Sequence, residues 1–279
     1  VGMLIAIISA TIMPIENSND NYSWILIPIV FSASIGYIIA KKIEMTSMPQ
    51  MVSIFNGLGG LSAVLLSFTE INKWLSDTEL YPQFVIVVLL VSLFIGSVAF
   101  TGSLLAFAKL DGYKWSEKLT LPFQHIINLI LLVSIIILSF LFIDNSAYTN
   151  YLYILIAISF LYGVFFVAPI GGADMPVVIS LLNSFTGITA ALTGVIFDNK
   201  VMLLGGILVG AAGTILTVLM CQAMNRSLLN VLVGGFSSSG SSSKSSEQGD
   251  IKEITDSDFA VQLFYSQKVI IVPGYGLAV

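Results

Sequence analysis

The sequence has little charge, one cysteine and one histidine. Only 10% of its 279 residues are Asp, Glu, Lys or Arg, whereas a soluble domain has about 25%. The single cysteine, Cys221, excludes a disulfide framework. The single histidine, His125, stands at the edge of an apolar stretch, where a structural hydrogen-bonding role is the commoner one. The sequence therefore offers neither a cluster of metal ligands nor a nucleophile–histidine–acid arrangement.

Apolar residues make up 56% of the chain, too many for one soluble core to bury, so the surrounding solvent is expected to be lipid. Backbone groups find no water in lipid, so each apolar stretch must be helical. Eight stretches are predicted to span the membrane, at about 1–13, 23–40, 49–68, 83–107, 122–143, 151–169, 175–197 and 201–221. The first is shorter than the ~20 residues a crossing needs, and we expect it to be cut at its N-terminal end.

Basic residues are distributed unequally between the two sets of loops. One set has six: Lys41, Lys42, Lys109, Lys114, Lys118 and Arg226. The opposite set has Lys73 and Lys200. Because basic loops stay on the inner side, both ends are predicted to face the cytoplasm or the mitochondrial matrix. The expected location is a bacterial plasma membrane or a mitochondrial inner membrane, crossed several times.

The last part of the sequence differs from the apolar stretches. Residues 237–254 begin with a Ser/Gly run and are predicted to be a flexible linker. Thr255 and Asp258 favour the start of a helix over about 255–266, and residues 268–272 favour a buried strand. The predicted fold class is an all-α, polytopic transmembrane bundle of about eight helices (1–236). A truncated α/β, Rossmann-like domain start (255–279) follows the linker.

Four predicted spans have small or polar residues at alternating intervals of three and four, which places each set on one helical face. The four sets are Ser53, Asn56, Gly60, Ala63 and Ser67; Ser92, Gly96, Ala99, Ser103 and Ala106; Ser180, Asn183, Gly187, Ala190 and Gly194; and Gly206, Gly210, Gly213 and Thr217. Small residues let membrane helices approach closely, so these four spans are predicted to form an inner bundle. The spans at 122–143 and 151–169 are rich in large apolar residues and suit contact with lipid.

Three polar residues allow a functional as well as a structural interpretation. Asn56 and Asn183 either pack between helices or hold a short chain of water, because a mid-membrane amide is costly without partners. Asp174 is either a helix-start acid, followed by Pro176 in the first turn, or a charge that guards a polar path. For Asp174 both interpretations can hold together.

Several segments resemble one family, the beta subunit of the proton-translocating NAD(P) transhydrogenase. They are residues 41–49 (KKIEMTSMP), 100–107 (FTGSLLAF), 171–178 (GGADMPVV), 182–184 (LNS), 220–227 (MCQAMNRS) and 272–279 (VPGYGLAV). The resemblance implies an enzyme complex in which hydride passes from NADH to NADP⁺, coupled to inward proton flow. NAD(H) is bound by a partner alpha subunit or a fused alpha part. NADP(H) is bound at the beta C-terminus, and the assembled complex is expected to be a dimer that binds no nucleic acid.

The resemblance also implies roles for individual residues. Asn56, Ser103 and Asn183 would line the proton path, Asp174 would lie at its mouth, and Arg226 at the junction with the linker. Gly274, Tyr275, Gly276 and Val279 would belong to the NADP(H) site, where the Gly-x-Gly-x-x-Val pattern follows the predicted strand. Because the following helix is absent from the sequence, we expect the fragment alone to bind no nucleotide and to be inactive.

One departure from the family concerns Asn56, since many members have a histidine at this position. Either a histidine of the alpha subunit titrates, or water alone passes the asparagines. An ion-coupled secondary transporter with a cytoplasmic regulatory tail is the main alternative, although no internal repeat supports it. A structural scaffold is a third, and the buried amides and Asp174 argue against it.

Overall fold

The computed structural model describes residues 22–77, 81–117, 119, 123–144, 149–224, 228 and 255–270. Regular structure within these ranges is helical. The helices are α1 (Tyr22–Lys42), α2 (Met48–Ser76), α3 (Gln83–Leu110), α4 (Lys114–Glu117), α5 (Gln124–Asp144), α6 (Thr149–Val167), α7 (Met175–Ile196), α8 (Lys200–Ala223) and α9 (Asp256–Tyr265). Seven of the eight predicted spans coincide with a helix. The first, residues 1–13, lies outside the described residues.

Six stretches of the described residues are long and apolar enough to cross a membrane. They are Met45–Ser76, Gln83–Leu110, Gln124–Asp144, Thr149–Val167, Gly172–Ile196 and Lys200–Ala223. Helix α1 belongs to a separate compact unit, residues 1–48, whereas the other helices belong to residues 49–279. Within its own unit, α1 is 21 residues long and ends on Lys41 and Lys42. The prediction of a multi-pass helical membrane protein is therefore confirmed.

Local sequence signals set where the helices begin and end. Pro82 has extended backbone angles and precedes α3, while Gly112 adopts a positive φ of 74° just after α3. This left-handed conformation suits glycine, which has no Cβ to clash. Asn199 caps α8, its side chain accepting a hydrogen bond from Met202 N. Short turns of this kind keep consecutive helices antiparallel and adjacent.

Two apolar clusters hold the helices together, one toward each end of α3. The first lies where α3 ends and includes Leu105, Val167, Met175, Leu182 and Cys221. The second lies where α3 begins and includes Ile71, Trp74, Ile86, Phe142 and Leu152. On α3 the buried Ser103 lies between Val98 and Leu105, at the level of the first cluster.

The outer surface of the bundle is apolar along α5 and α8. Leu129, Ile137 and Phe140 of α5 are exposed, as are Leu208 and Leu216 of α8. So much exposed hydrocarbon suits contact with lipid tails. The prediction that residues 122–143 suit contact with lipid agrees with this arrangement. The same prediction for residues 151–169 holds for one face only, since Leu152 and Leu155 are fully buried.

The predicted helix near the C-terminus is confirmed as α9, where Thr255 accepts a hydrogen bond from Asp258 N. Its side chains are exposed. Residues 268–270 lie outside regular structure, and residues 271–279 lie outside the described ranges. The predicted strand at 268–272, and with it the Rossmann-like start, is therefore not seen in the described residues. A strand needs a partner strand to satisfy its backbone groups, and the described ranges contain none to pair with it.

Candidate functional site

Helices α2 and α3 touch through bare backbone at Gly60 and Gly96. A Cβ added at Gly60 would lie 2.8 Å from Gly96 O and 2.9 Å from Phe100 N. A Cβ added at Gly96 would lie 2.9 Å from Gly60 O. Since these neighbours are backbone atoms, only glycine permits this approach. The predicted small-residue faces of these two helices therefore do meet.

A buried polar cluster lies on α2 and α3 on one side of this glycine contact. Ser53 Oγ donates to the carbonyl oxygen of Ser103 at 2.7 Å, and Asn56 Nδ2 donates to Ser103 Oγ at 3.0 Å. Ser53 and Ser103 are fully buried, and Asn56 is 8% exposed. The Asn56 Oδ1 atom is buried and makes no hydrogen bond with any described residue. A buried polar atom without a partner is costly, so Asn56 Oδ1 needs a donor from outside the described residues, such as water.

The predicted faces of α7 and α8 meet in the same way. A Cβ added at Gly187 would lie 2.5 Å from Gly210 N, and one added at Gly213 would lie 3.0 Å from Ser184. Ser184 Oγ donates to Gly210 O at 2.7 Å, and Ser180 Oγ donates to Gly213 O at 3.2 Å. Small residues and hydroxyl groups thus join α7 to α8 along most of their length.

Asn183 differs from the expectation for its face, because its side chain is exposed on the surface of this chain. No hydrogen bond joins it to Asn56 among the described residues. The physical reason is the direction in which each side chain leaves the helix. Ser184, the next residue, points at α8 and takes the buried position. Asn183 therefore lies at the edge of the packed face.

Asn183 and Asn56 nevertheless lie at the same depth. Helices α2 and α7 are parallel, because both begin where α3 ends: Gln50 Nε2 donates to Leu110 O, and Lys109 binds the segment leading into α7. They touch where Gly59 meets Thr186, whose Cγ2 would lie 2.9 Å from a Cβ added at Gly59. Asn56 precedes Gly59 by three residues, and Asn183 precedes Thr186 by three. The two amides are thus level on neighbouring helices.

Asp174 lies at the end of the bundle where α3 ends and α7 begins. It closes the 3-10 turn Gly172–Asp174, is 8% exposed, and its side chain makes no capping hydrogen bond. Its carboxylate lies near Cys221 of α8. Asp174 thus lies at the helix start as predicted, where an acid is favoured by the helix dipole even without a capping hydrogen bond.

Lys109 holds the segment that leads to Asp174. Its ammonium group donates to three carbonyl oxygens at the end of α6: Val167 at 3.3 Å, Ala168 at 2.5 Å and Ile170 at 2.6 Å. A cation at a helix C-terminus is favourable because the last carbonyl groups there have no partners within the helix. In the sequence alone, Lys109 indicates only which loops face inward.

A second acidic residue, Glu70, lies at the opposite end of α2. The predicted span stopped at residue 68, but α2 continues to Ser76 and buries Glu70 to 4% exposure. Its Oε1 is 2.7 Å from Lys73 Nζ, and its Oε2 accepts from Tyr81 OH at 2.6 Å. This hydrogen bond, with burial, raises the pKa of Tyr81 to about 12. The intervals of three and four that mark the α2 face reach Glu70 from Ser67, and that signal was available in the sequence.

The other predicted site residues divide between described and undescribed parts of the chain. His125 is exposed at the start of α5, whereas its neighbour Gln124 is buried and donates to Phe165 O at 2.9 Å. The remaining predicted site residues lie outside the described residues: Arg226, Gly274, Tyr275, Gly276 and Val279. Among the described residues, no group of three or more His, Cys, Asp or Glu side chains could hold a metal ion.

Comparison with known proteins agrees with these features. The family model described as NAD(P) transhydrogenase beta subunit matches residues 1–279. Two curated relatives from Rhodospirillum rubrum, one of them from a designated strain, are both named NAD(P) transhydrogenase subunit beta. Each is 38% identical over 286 residues, covering 100% of this chain and 61% of the relative. The chain thus spans 61% of the length of these relatives. On this match, the chain belongs to the NAD(P) transhydrogenase beta subunit family.

Proposed function

We propose that this chain forms the beta part of a proton path in a proton-translocating, Re/Si-specific NAD(P) transhydrogenase. The whole enzyme would couple inward proton flow to hydride transfer from NADH to NADP⁺. Residues 1–236 would be the proton-translocating domain, residues 237–254 a linker, and residues 255–279 the start of the NADP(H)-binding domain. Membership of the family and the polar cluster inside the bundle support this proposal.

The observation that carries the proposal is the cluster of Ser53, Asn56 and Ser103. Its hydrogen bonds fix the Asn56 side chain, and one amide oxygen remains for water. If these residues only packed the helices together, apolar side chains would do so at a lower free-energy cost of burial in lipid. An amide cannot titrate, so this cluster would hold and orient water rather than carry the proton itself.

Asn183 would complete the path from the neighbouring helix. It is level with Asn56 and lies at the edge of the α7 face, open to whatever packs there. We propose that a helix of the alpha subunit covers this edge, with lipid around the assembled bundle. The complex would be a dimer. A histidine on that helix would supply the titrating group that many family members have in the beta chain at the position of Asn56.

Asp174 would form the mouth of the path on the side of the nucleotide-binding domain, and Arg226 would lie at the junction with the linker. Lys109 holds the loop before Asp174, so a shift of that loop would move the carboxylate. Gly274, Tyr275, Gly276 and Val279 would let the backbone approach the NADP(H) pyrophosphate. The basic loops would place this side in the cytoplasm or the matrix.

Asn183→Leu tests the proposal. The full-length protein is reconstituted with its alpha partner in vesicles, and a pH-sensitive dye follows proton movement during reverse transhydrogenation. Leucine has the same branched shape as asparagine but cannot hydrogen-bond to water, so proton-coupled turnover should fall by at least about tenfold. The assembled complex should be recovered in unchanged yield.

Asn150→Leu is the matched control, because Asn150 is an exposed amide at the start of α6. It should leave the dye signal unchanged. Equal proton-coupled rates in the Asn183→Leu variant and the unaltered complex would refute the assignment. Ion-driven dye signals that do not depend on NADPH or NAD⁺ would favour a secondary transporter.

A further inference from the structure

Burial of the Glu70 carboxylate costs free energy at its position in α2. It is 4% exposed, six residues inside the end of α2, and an apolar cluster with Ile71 and Trp74 surrounds this end of the helix. A charge buried in a membrane helix persists only with partners, and such residues usually mark ion or proton pathways.

Two donors hold this carboxylate in an ordered position. Lys73 binds one oxygen at 2.7 Å and Tyr81 the other at 2.6 Å. The Lys73 side chain is 60% exposed, so the group that neutralises Glu70 lies at the surface of this chain. Among the described residues, these two are the titratable groups that act on Glu70. Glu70 is therefore a buried acid with a direct link to the surface.

Glu70 continues the polar face that includes Asn56. Ser67, one turn before it, is fully buried, and so is Ser92 on α3. Neither hydroxyl group makes a hydrogen bond with a described residue. Like Asn56 Oδ1, each is a buried polar atom that needs a partner from outside the described residues, and water is the simplest such partner.

The helix register places Ser67 and Ser92 opposite each other. Asn56 contacts Ser103 across antiparallel helices. Ser67 comes 11 residues after Asn56, and Ser92 comes 11 residues before Ser103. Because 11 residues are about three full turns, the second pair repeats the geometry of the first. Polar groups thus recur along the α2–α3 contact, over about 21 Å from Asn56 to Glu70.

We propose that Glu70 is the proton-binding residue at the mouth of the path opposite Asp174. This proposal rests on the proposed function. A proton from water on that side adds to a carboxylate oxygen, forming an O–H bond and loosening the contact with Lys73. The carboxyl group then releases the proton to water next to Ser67 and Ser92, and the carboxylate pairs again with Lys73. Asp174 serves the other mouth, and among the described residues these two are the buried acids.

A purely structural role is the competing explanation, because Glu70 also ties the end of α2 to Tyr81, two residues before α3 begins. Glu70→Gln separates the two. Glutamine keeps an oxygen that accepts from Lys73 or Tyr81 but cannot bind and release a proton near neutral pH. A structural latch would tolerate it, whereas a proton carrier would not.

The experiment measures proton-coupled reverse transhydrogenation and thermal stability in the reconstituted full complex for Glu70→Gln, Glu70→Asp and Asn183→Leu. We expect Glu70→Gln to lower coupled turnover by about 100-fold with a melting temperature near that of the unaltered complex, and Glu70→Asp to restore part of it. Full turnover in Glu70→Gln together with loss of turnover in Asn183→Leu would refute the role of Glu70 but leave the proposed path intact. Full turnover in both would overturn the path itself. Loss of turnover in Glu70→Gln with an equal loss of stability, and no rescue by Glu70→Asp, would establish the latch instead.

Discussion

Replacing Gly60 by alanine should force α2 and α3 apart. The new Cβ would lie 2.8 Å from Gly96 O, 2.9 Å from Phe100 N and 3.0 Å from Ala99 Cβ. Two of these three are backbone atoms, which cannot turn aside as a flexible side chain can. The helices must separate by several tenths of an ångström, and the hydrogen bonds from Ser53 and Asn56 to Ser103 lengthen with them.

The expected cost follows from these contacts. Overpacking a tight contact costs about 1–3 kcal/mol. Each interhelical hydrogen bond in a membrane contributes about 0.6 kcal/mol on average. Alanine also favours a helix over glycine by up to about 1 kcal/mol. Gly205→Ala in α8 is the matched control, since a Cβ there meets nothing within 4 Å and the helix-propensity gain is similar. We expect Gly60→Ala to be less stable than Gly205→Ala by about 2–4 kcal/mol.

Denaturation of the full-length protein by sodium dodecyl sulfate in mixed micelles measures this difference. Trp74 is a suitable fluorescent reporter, because it is buried at the far end of α2 and packs against Phe142 with ring centroids 6.0 Å apart. If the two alanine variants unfolded at the same detergent fraction, the close α2–α3 contact would be wrong.

Two further predictions concern the two ends of the bundle. Lys109→Met should destabilise the protein by about 1.5–3 kcal/mol, because three carbonyl groups lose a charged donor. Lys114→Met, an exposed control, should change the same detergent denaturation little, and equal effects would contradict the role of Lys109. At the other end, Glu70→Gln should return the pKa of Tyr81 from about 12 toward 10.0, since the carboxylate raises it. The difference in tyrosinate absorbance between proteins with and without Tyr81→Phe reports this pKa, and an unchanged value in Glu70→Gln would contradict the contact.

Much of the helical arrangement could be predicted from local pattern. Small residues at intervals of three and four identified the faces of α2, α3, α7 and α8, and contacts such as Gly60 with Gly96 confirm them. The pattern can be recognised in the sequence because close packing of membrane helices excludes larger side chains at each crossing. It also led to the cluster of Ser53, Asn56 and Ser103.

The sequence could not predict which residues at the edge of a face are buried. Asn183 follows the same spacing as the buried residues of α7 but is exposed. A small rotation of α7 about its axis decides whether Asn183 or Ser184 faces α8, and here it is Ser184. Glu70 was missed because the predicted span ends at residue 68, before the first polar run. Contacts with the other helices extend α2 to Ser76. The three carbonyl partners of Lys109 depend on a contact between α3 and α6 that no local pattern encodes.

Proton movement in vesicles containing the Asn56→Leu variant tests the central claim most directly. Leucine has a similar branched shape but offers water no oxygen, so the dye response during reverse transhydrogenation should fall by at least about tenfold while the complex still assembles. A response equal to that of the unaltered complex would mean that protons do not pass the Asn56–Ser103 cluster.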